Sequence, residues 1–192
     1  YGTTKCKWDS VINLDGLWEQ YKRVLKKPHG VILLFGQQPF TSMLISSNYS
    51  WFKYNLIWKK NRTTRFLLAN YRPMTCTEDI CVFSPGGAAA ASRKKGNMTY
   101  NPQGLKKVEI KKKNSVNRIG KMLNQPHHLG PNNKLIGETE YMQKYTNYPN
   151  EILEFGIESN TSHETQKPVP LIEHLILTYS NPGETVLDNT MG

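Results

Sequence analysis

Five apolar residues in a row, Val31-Ile32-Leu33-Leu34-Phe35, stand between two helical patterns. A strand of that composition has no solvent face, so both of its sides must be covered. Before it, the stretch from Leu14 to Lys27 sets Leu14, Leu17, Trp18, Tyr21, Val24 and Leu25 at helical spacing. Its basic last turn suits the helix dipole, and Pro28-His29-Gly30 stops it. After it, a short second helix opens near Pro39. Helix, strand, helix is the pattern of a layered α/β fold.

"YNLIWKK" and "EDICVFS" are two further strand candidates. The connection between them, "NRTTRFLLANYRPMTC", is long for a hairpin and carries Arg62, Arg65 and Arg72, so it reads as a functional loop with those arginines on phosphates. Near the end, Leu171, Ile172, Leu175 and Ile176 form an amphipathic stripe with Pro168 or Pro170 in the first turn. Asn181-Pro182-Gly183 closes that helix, and Thr185 to Asp188 follows as a strand. The expected fold is a layered α/β sheet, mostly parallel, with Val31–Phe35 and Thr185–Asp188 central and a late antiparallel hairpin of Asn55–Trp58 and Ile80–Phe83.

Between these two α/β stretches the pattern breaks, at "SPGGAAAASRKKGN". From there to about Thr161 the chain is polar, rich in Asn and Gly, and poor in periodicity. The net charge of +10 is concentrated there: residues 86–150 hold twelve Lys and Arg against three acids. Segmental basicity favours an insert that meets a polyanion over a generally basic surface, with a solvated basic loop as the alternative. Arg93, Lys94, Lys95, Lys111, Lys112 and Lys113 are its strongest phosphate candidates. The divisions expected are 1–85, 86–161 and 162–192.

Composition also excludes. Three cysteines (Cys6, Cys76, Cys81) make no disulfide framework, which favours a reducing, cytoplasmic setting. No second Cys or His pair stands at partner spacing, so no metal site is expected. The longest apolar run has strand length, far short of the ~18 residues of a membrane helix. His127-His128 hints at a nuclease, but no acidic metal cluster accompanies it.

The segment "HETQKPVPLIEHLILTYSNPGETVLDNTMG" resembles the cofactor half of a DNA amino-methyltransferase of the N6-adenine/N4-cytosine group, where a TQKP helix start precedes a strand ending in a D-x-x-x-G-x-G loop. The order, with catalytic half first and cofactor loop late, is similar to the beta-class permutation. "YGTTKCKWD" resembles the residues after Pro-Pro in the catalytic Asp-Pro-Pro-Tyr motif, which makes Tyr1 the fourth motif residue. The chain thus looks cut inside both signature motifs, and by itself it is expected to be close to inactive.

The resemblance implies that the methyl donor is S-adenosyl-L-methionine. Gln166, Lys167 and Pro168 would meet its methionine part at a helix start, and Asp188 and Gly192 would form the loop on which it packs. His163 resembles the His of H-x-T-Q-K-P and reads equally as a packing residue. Asn189 and Thr190 replace the Pro-Phe common in that loop, which removes an aromatic contact. Tyr1 would stack on a base turned out of double-stranded DNA, since an exocyclic nitrogen is otherwise paired. A Tyr there favours adenine N6, with cytosine N4 and a catalytically silent DNA-binding remnant as alternatives. Trp8 and Asp9 would border the base pocket or pack, Trp58 reads as core, and Lys59 as a phosphate contact. A cognate restriction endonuclease and a homodimer are the partners such a resemblance brings with it.

Overall fold

The computed structural model describes residues 10, 12–26, 28–113, 140–159, 161 and 165–189. The chain divides into two compact units, Tyr1–Gln103 with Asn150–Gly192, and Gly104–Pro149.

The first unit begins with α1, Leu14–Val24. Asn13 caps it, its side chain accepting from Gly16 N at 3.1 Å, and Asp15 and Lys22–Arg23 match the dipole at either end. Trp18 is its one buried residue, while Val24, on the expected apolar spacing, is half exposed. Strand β1 (Ile32–Gly36), helix α2 (Phe40–Ser47), strand β2 (Phe52–Thr64) and strand β3 (Thr75–Phe83) follow. After the second unit come strand β6 (Ile152–Glu154) and helix α3 (Val169–Tyr179).

The four strands of this unit lie in the order β1-β3-β2-β6. Strand β3 is antiparallel to both β1 and β2, while β6 runs parallel to β2. Strands β1, β2 and β6 therefore point one way, and β3 alone is reversed. The expected hairpin of Asn55–Trp58 with Ile80–Phe83 is present, Leu56 opposite Ile80 and Asn55 opposite Cys81. Because the reversed strand lies between β1 and β2, the sheet is mixed, and two of its three pairings are antiparallel.

The sheet expected to be mostly parallel is mixed, and three further expectations are corrected. Val31–Phe35 supplies an edge strand among the described residues, and the enclosed strands are β3 and β2, with Ile80, Cys81, Val82 and Phe83 of β3 all fully buried. Thr185–Asp188 forms no strand: it joins no β-ladder among the described residues and leaves Val186 and Leu187 exposed. A three-residue apolar run cannot hold a strand conformation without a neighbour to complete its ladder. Strand β2 also runs on to Thr64, whose hydroxyl donates to Thr75 O at 3.2 Å, so Arg62 lies on the strand and the connecting loop is shorter than expected.

Both faces of the sheet are covered, and alternation along β3 divides them. Ile80 and Val82 join Leu56, Trp58, Leu153, Leu171, Leu175 and Tyr179 in the core under α3. Cys81 and Phe83 join Trp18, Ile32, Phe40 and Leu44 in the core under α1 and α2. A period of two on a strand buried on both sides produces this division. Beyond β3, Ser84 is fully buried and its hydroxyl donates to Gly30 O at 2.8 Å while accepting from Gly86 N at 3.0 Å, which ties two loops together.

Gly86–Gln103 belongs to the first unit. Met98 enters its core, and Asn101 binds the end of α3, its Nδ2 donating to Ser180 O at 2.9 Å and its backbone N to Thr178 O at 2.7 Å. The second unit is described as a two-stranded antiparallel ribbon, β4 (Lys106–Lys113) with β5 (Glu140–Thr146). Lys112 stands opposite Tyr141 and Lys107 opposite Tyr145, and Lys111 is ion-paired with Glu140. No residue of the ribbon from Lys106 to Lys112 and from Glu140 to Thr146 is buried. Asn147, with a left-handed φ of 60°, donates from Nδ2 to Gly104 O at 2.7 Å and closes the base of the unit.

A cationic edge at the carboxyl ends of the strands

Ligands of open α/β sheets lie beyond the carboxyl ends of the parallel strands, because helix starts and strand-end loops leave unpaired backbone groups there. At that edge of the first unit, Glu78 stands in β3 just ahead of the buried run. Its carboxylate takes two ammonium groups, Lys167 Nζ at 2.6 Å on Oε1 and Lys60 Nζ at 2.8 Å on Oε2. Lys167 also lies 4.9 Å from the centre of the Phe35 ring and 5.7 Å from that of Trp58, while Lys60 sits 4.5 Å over Trp58. Two cations on aromatic faces thus share one carboxylate, and the cluster carries a surplus positive charge.

Burial alone would push the Glu78 carboxyl upward. The attraction of Lys167, the hydrogen bonds from both lysines and the charge of Lys60 outweigh it and hold the group below the ordinary glutamate value. Glu78 is therefore ionised at neutral pH, and it fixes where the Lys167 ammonium sits.

The chain after β6 wraps this edge. Phe155 O accepts from Trp58 Nε1 at 2.8 Å, and Asn61 Oδ1 accepts from Ile157 N at 3.0 Å. Glu158 then accepts from Val169 N at 2.9 Å, at the start of α3, and from Gln166 Nε2 at 3.4 Å. At this helix start, expected to meet the methionine part of the donor, one backbone amide already binds an internal carboxylate. On the far side of the edge, Thr41 donates to Asp79 Oδ2 at 2.8 Å and Arg65 to Gln37 Oε1 at 2.8 Å.

Of the residues proposed from sequence, Lys167, Gln166 and the buried Pro168 come together at the start of α3. Asp188 is exposed on the segment after α3, where the neighbouring Asn189 accepts from the Tyr21 hydroxyl at 3.3 Å. Trp58 is core, as expected, and Lys59 is engaged by Glu154 at 2.8 Å on the sheet edge. Arg62 and Arg72 are exposed on β2 and the loop after it, and Arg93 and Lys94 are exposed on a 3-10 turn of the first unit that also takes in Lys95. Lys111 and Lys112 are exposed on β4, whose last residue is Lys113. Tyr1, Trp8, Asp9, His163 and Gly192 lie outside the described residues. Among the described residues no group of His, Cys, Asp and Glu could hold a metal ion, and no helix is long and apolar enough to cross a membrane.

Sequence reasoning missed Glu78, Lys60 and Glu158. The available signal was Glu78-Asp79 directly ahead of four apolar residues, since a carboxylate drawn to the mouth of a buried strand needs a cation beside it.

The mixed sheet with helices on both faces is consistent with the Rossmann-like methyltransferase fold that the resemblance implies. The family model for DNA methylases matches residues 7–192, and the chain belongs to that family, the N6-adenine/N4-cytosine DNA methyltransferases. No curated protein matches the chain.

Proposed function

We propose that the protein transfers a methyl group from S-adenosyl-L-methionine to adenine N6 in duplex DNA, acting on a base turned out of the stack. The match to the DNA methylase family over residues 7–192 carries this reading. The choice of adenine rests on Tyr1, the aromatic residue at the fourth position of the resembled catalytic motif. Stacked on Tyr1, the base would have its amino group free of its pairing partner.

The edge around Lys167 fits the carboxylate end of the methyl donor, because two ammonium groups there share the single carboxylate of Glu78. Lys167 would hold that end, with Gln166 and Pro168 beside it and Asp188 and Gly192 on the following loop. When bound, the donor supplies an electrophilic methyl group. Glu78 acts as a positioning residue by holding Lys167, and the Phe35 and Trp58 rings limit water around the ammonium. The deciding experiment gives labelled methyl donor and duplex DNA to the chain extended through the whole Asp-Pro-Pro-Tyr motif and the whole D-x-x-x-G-x-G loop that the resemblance implies, and digests the product to nucleosides. Label in N6-methyladenine supports the reading, label in N4-methylcytosine moves it to the other base, and no label overturns it.

The β4–β5 ribbon is the second part of the proposal. A two-stranded ribbon fits the major groove of DNA, and this one interleaves Lys107 and Lys112 with Tyr145 and Tyr141. Together with Arg93, Lys94 and Lys95, its lysines would meet phosphates. Replacing Lys111, Lys112 and Lys113 with Ala is expected to weaken binding to all duplex sequences alike. The slope of log K against log salt should become shallower by about 3, one unit or slightly less for each phosphate no longer neutralised. Fluorescence anisotropy across a salt series measures it, and an unchanged slope would identify the ribbon as a solvated arm.

A further inference from the structure

The loop between β2 and β3 exposes Phe66 by 78%, Leu67 by 90% and Tyr71 by 86%. Its backbone is nevertheless closed on itself. Leu68 N and Ala69 N donate to Arg65 O and Phe66 O at 2.9 Å, and Tyr71 N and Arg72 N both donate to Leu68 O, at 2.9 and 3.0 Å. Its base is braced as well. Arg65, in the left-handed region at φ 68°, donates from Nη2 to Gln37 Oε1 at 2.8 Å, and Gln37 Nε2 donates to Thr77 O at 3.3 Å.

The apolar tip is thus held away from both cores of the unit, with its large side chains in water. Clustered exposed apolar side chains of this size mark a contact surface. Charge selects what they contact. Arg62 and Arg72 flank the tip, both exposed, and no acidic residue occurs from Asn61 to Thr77. A second copy of a chain of net charge +10 would bring like-charged tips together, whereas duplex DNA offers phosphates around an apolar stack.

We propose that this tip is a wedge for duplex DNA. Arg62 and Arg72 rest on phosphates, while Phe66, Leu67 and Tyr71 enter the base stack and fill space left when a base is displaced. The proposal rests on the DNA methylase reading and assigns to one loop the work of opening the duplex. Its energetics are those of a side-chain wedge, in which the unstacking cost is offset by apolar contact and by stacking on an aromatic ring.

The test compares binding of the protein to a plain duplex and to the same duplex carrying one abasic site, where the unstacking cost is already met. The unaltered protein should prefer the abasic duplex by about tenfold, the preference should vanish in Phe66→Ala/Leu67→Ala/Tyr71→Ala, and plain-duplex affinity should stay within about twofold. Tyr71→Phe should keep the preference, because stacking needs the ring and not the hydroxyl. Exposed positions leave the melting temperature unchanged, and melting curves of each variant verify this. A preference that survives the triple substitution, or that is absent from the unaltered protein, overturns the wedge while leaving the DNA methylase reading intact. A triple variant that sediments as a smaller species overturns it too, by making the tip a self-contact. Failure to bind either duplex overturns both.

Discussion

Phe83→Ala is expected to lower the free energy of unfolding by about 4 kcal/mol, the scale of a large aromatic removed from a core that cannot collapse around the gap. Phe83 is fully buried, with the Trp18 ring 4.8 Å away and the Phe52 ring 5.7 Å away, centre to centre. Its backbone is paired on both sides, with Ile32 of β1 and with Phe52 of β2. Neither neighbouring strand can move inward without losing its own ladder, so the cavity stays open. Urea unfolding followed by tryptophan fluorescence measures the loss, and Trp18 reports it directly. Phe83→Leu keeps most of the volume and should cost under about 1.5 kcal/mol. A loss below about 1 kcal/mol for the alanine variant, on the order of a single surface substitution, would show that the two helices close the gap.

Glu78→Ala is expected to cost about 3 kcal/mol, because it leaves two half-buried ammonium groups facing one another without their shared carboxylate. Glu78→Gln keeps the shape and should cost less, but it removes the charge and with it the pH dependence. The folded-state pKa of Glu78 is depressed, so its contribution is fully present above the ordinary value of 4.5 and disappears as pH falls through the lower folded value. The unaltered protein should therefore lose stability on acidification below about pH 4.5 more steeply than Glu78→Gln, in urea titrations at stepped pH. Equal slopes for the two proteins would remove Glu78 as the cause. Under the proposed function, both variants also weaken binding of the methyl donor, since Lys167 is then without the carboxylate that positions it.

The sequence disclosed elements whose own residues demand burial. Val31–Phe35 and Ile80–Phe83 have no solvent face to offer, and Trp18 and Leu171 stand on stripes that only a helix explains. It failed where a neighbour decides the outcome. Ile152–Glu154 becomes a strand through three pairings to β2 and the burial of Leu153, inside a stretch whose composition reads as loop. Thr185–Leu187 has better strand composition and forms none. At the candidate site, Lys167 stood out through its surrounding motif, and its contact with the donor is a proposal. Glu78 did not, because a glutamate within a strand looks like any solvent residue until the lysines from β2 and the start of α3 are seen to converge on it.

The hydrogen bond between Asn147 and Gly104, with Lys106 facing Thr146 above it, joins the two ends of the second unit. Seen from the sheet, everything between those ends amounts to a short loop, because closure entropy depends on the distance between the points where the chain departs and returns, and here that distance is fixed locally. A lineage carrying this arrangement is free to lengthen, shorten or rewrite the intervening segment while β6 still finds its place beside β2. Divergence can therefore run fast in one part of the gene and slowly in the other without the two rates interfering.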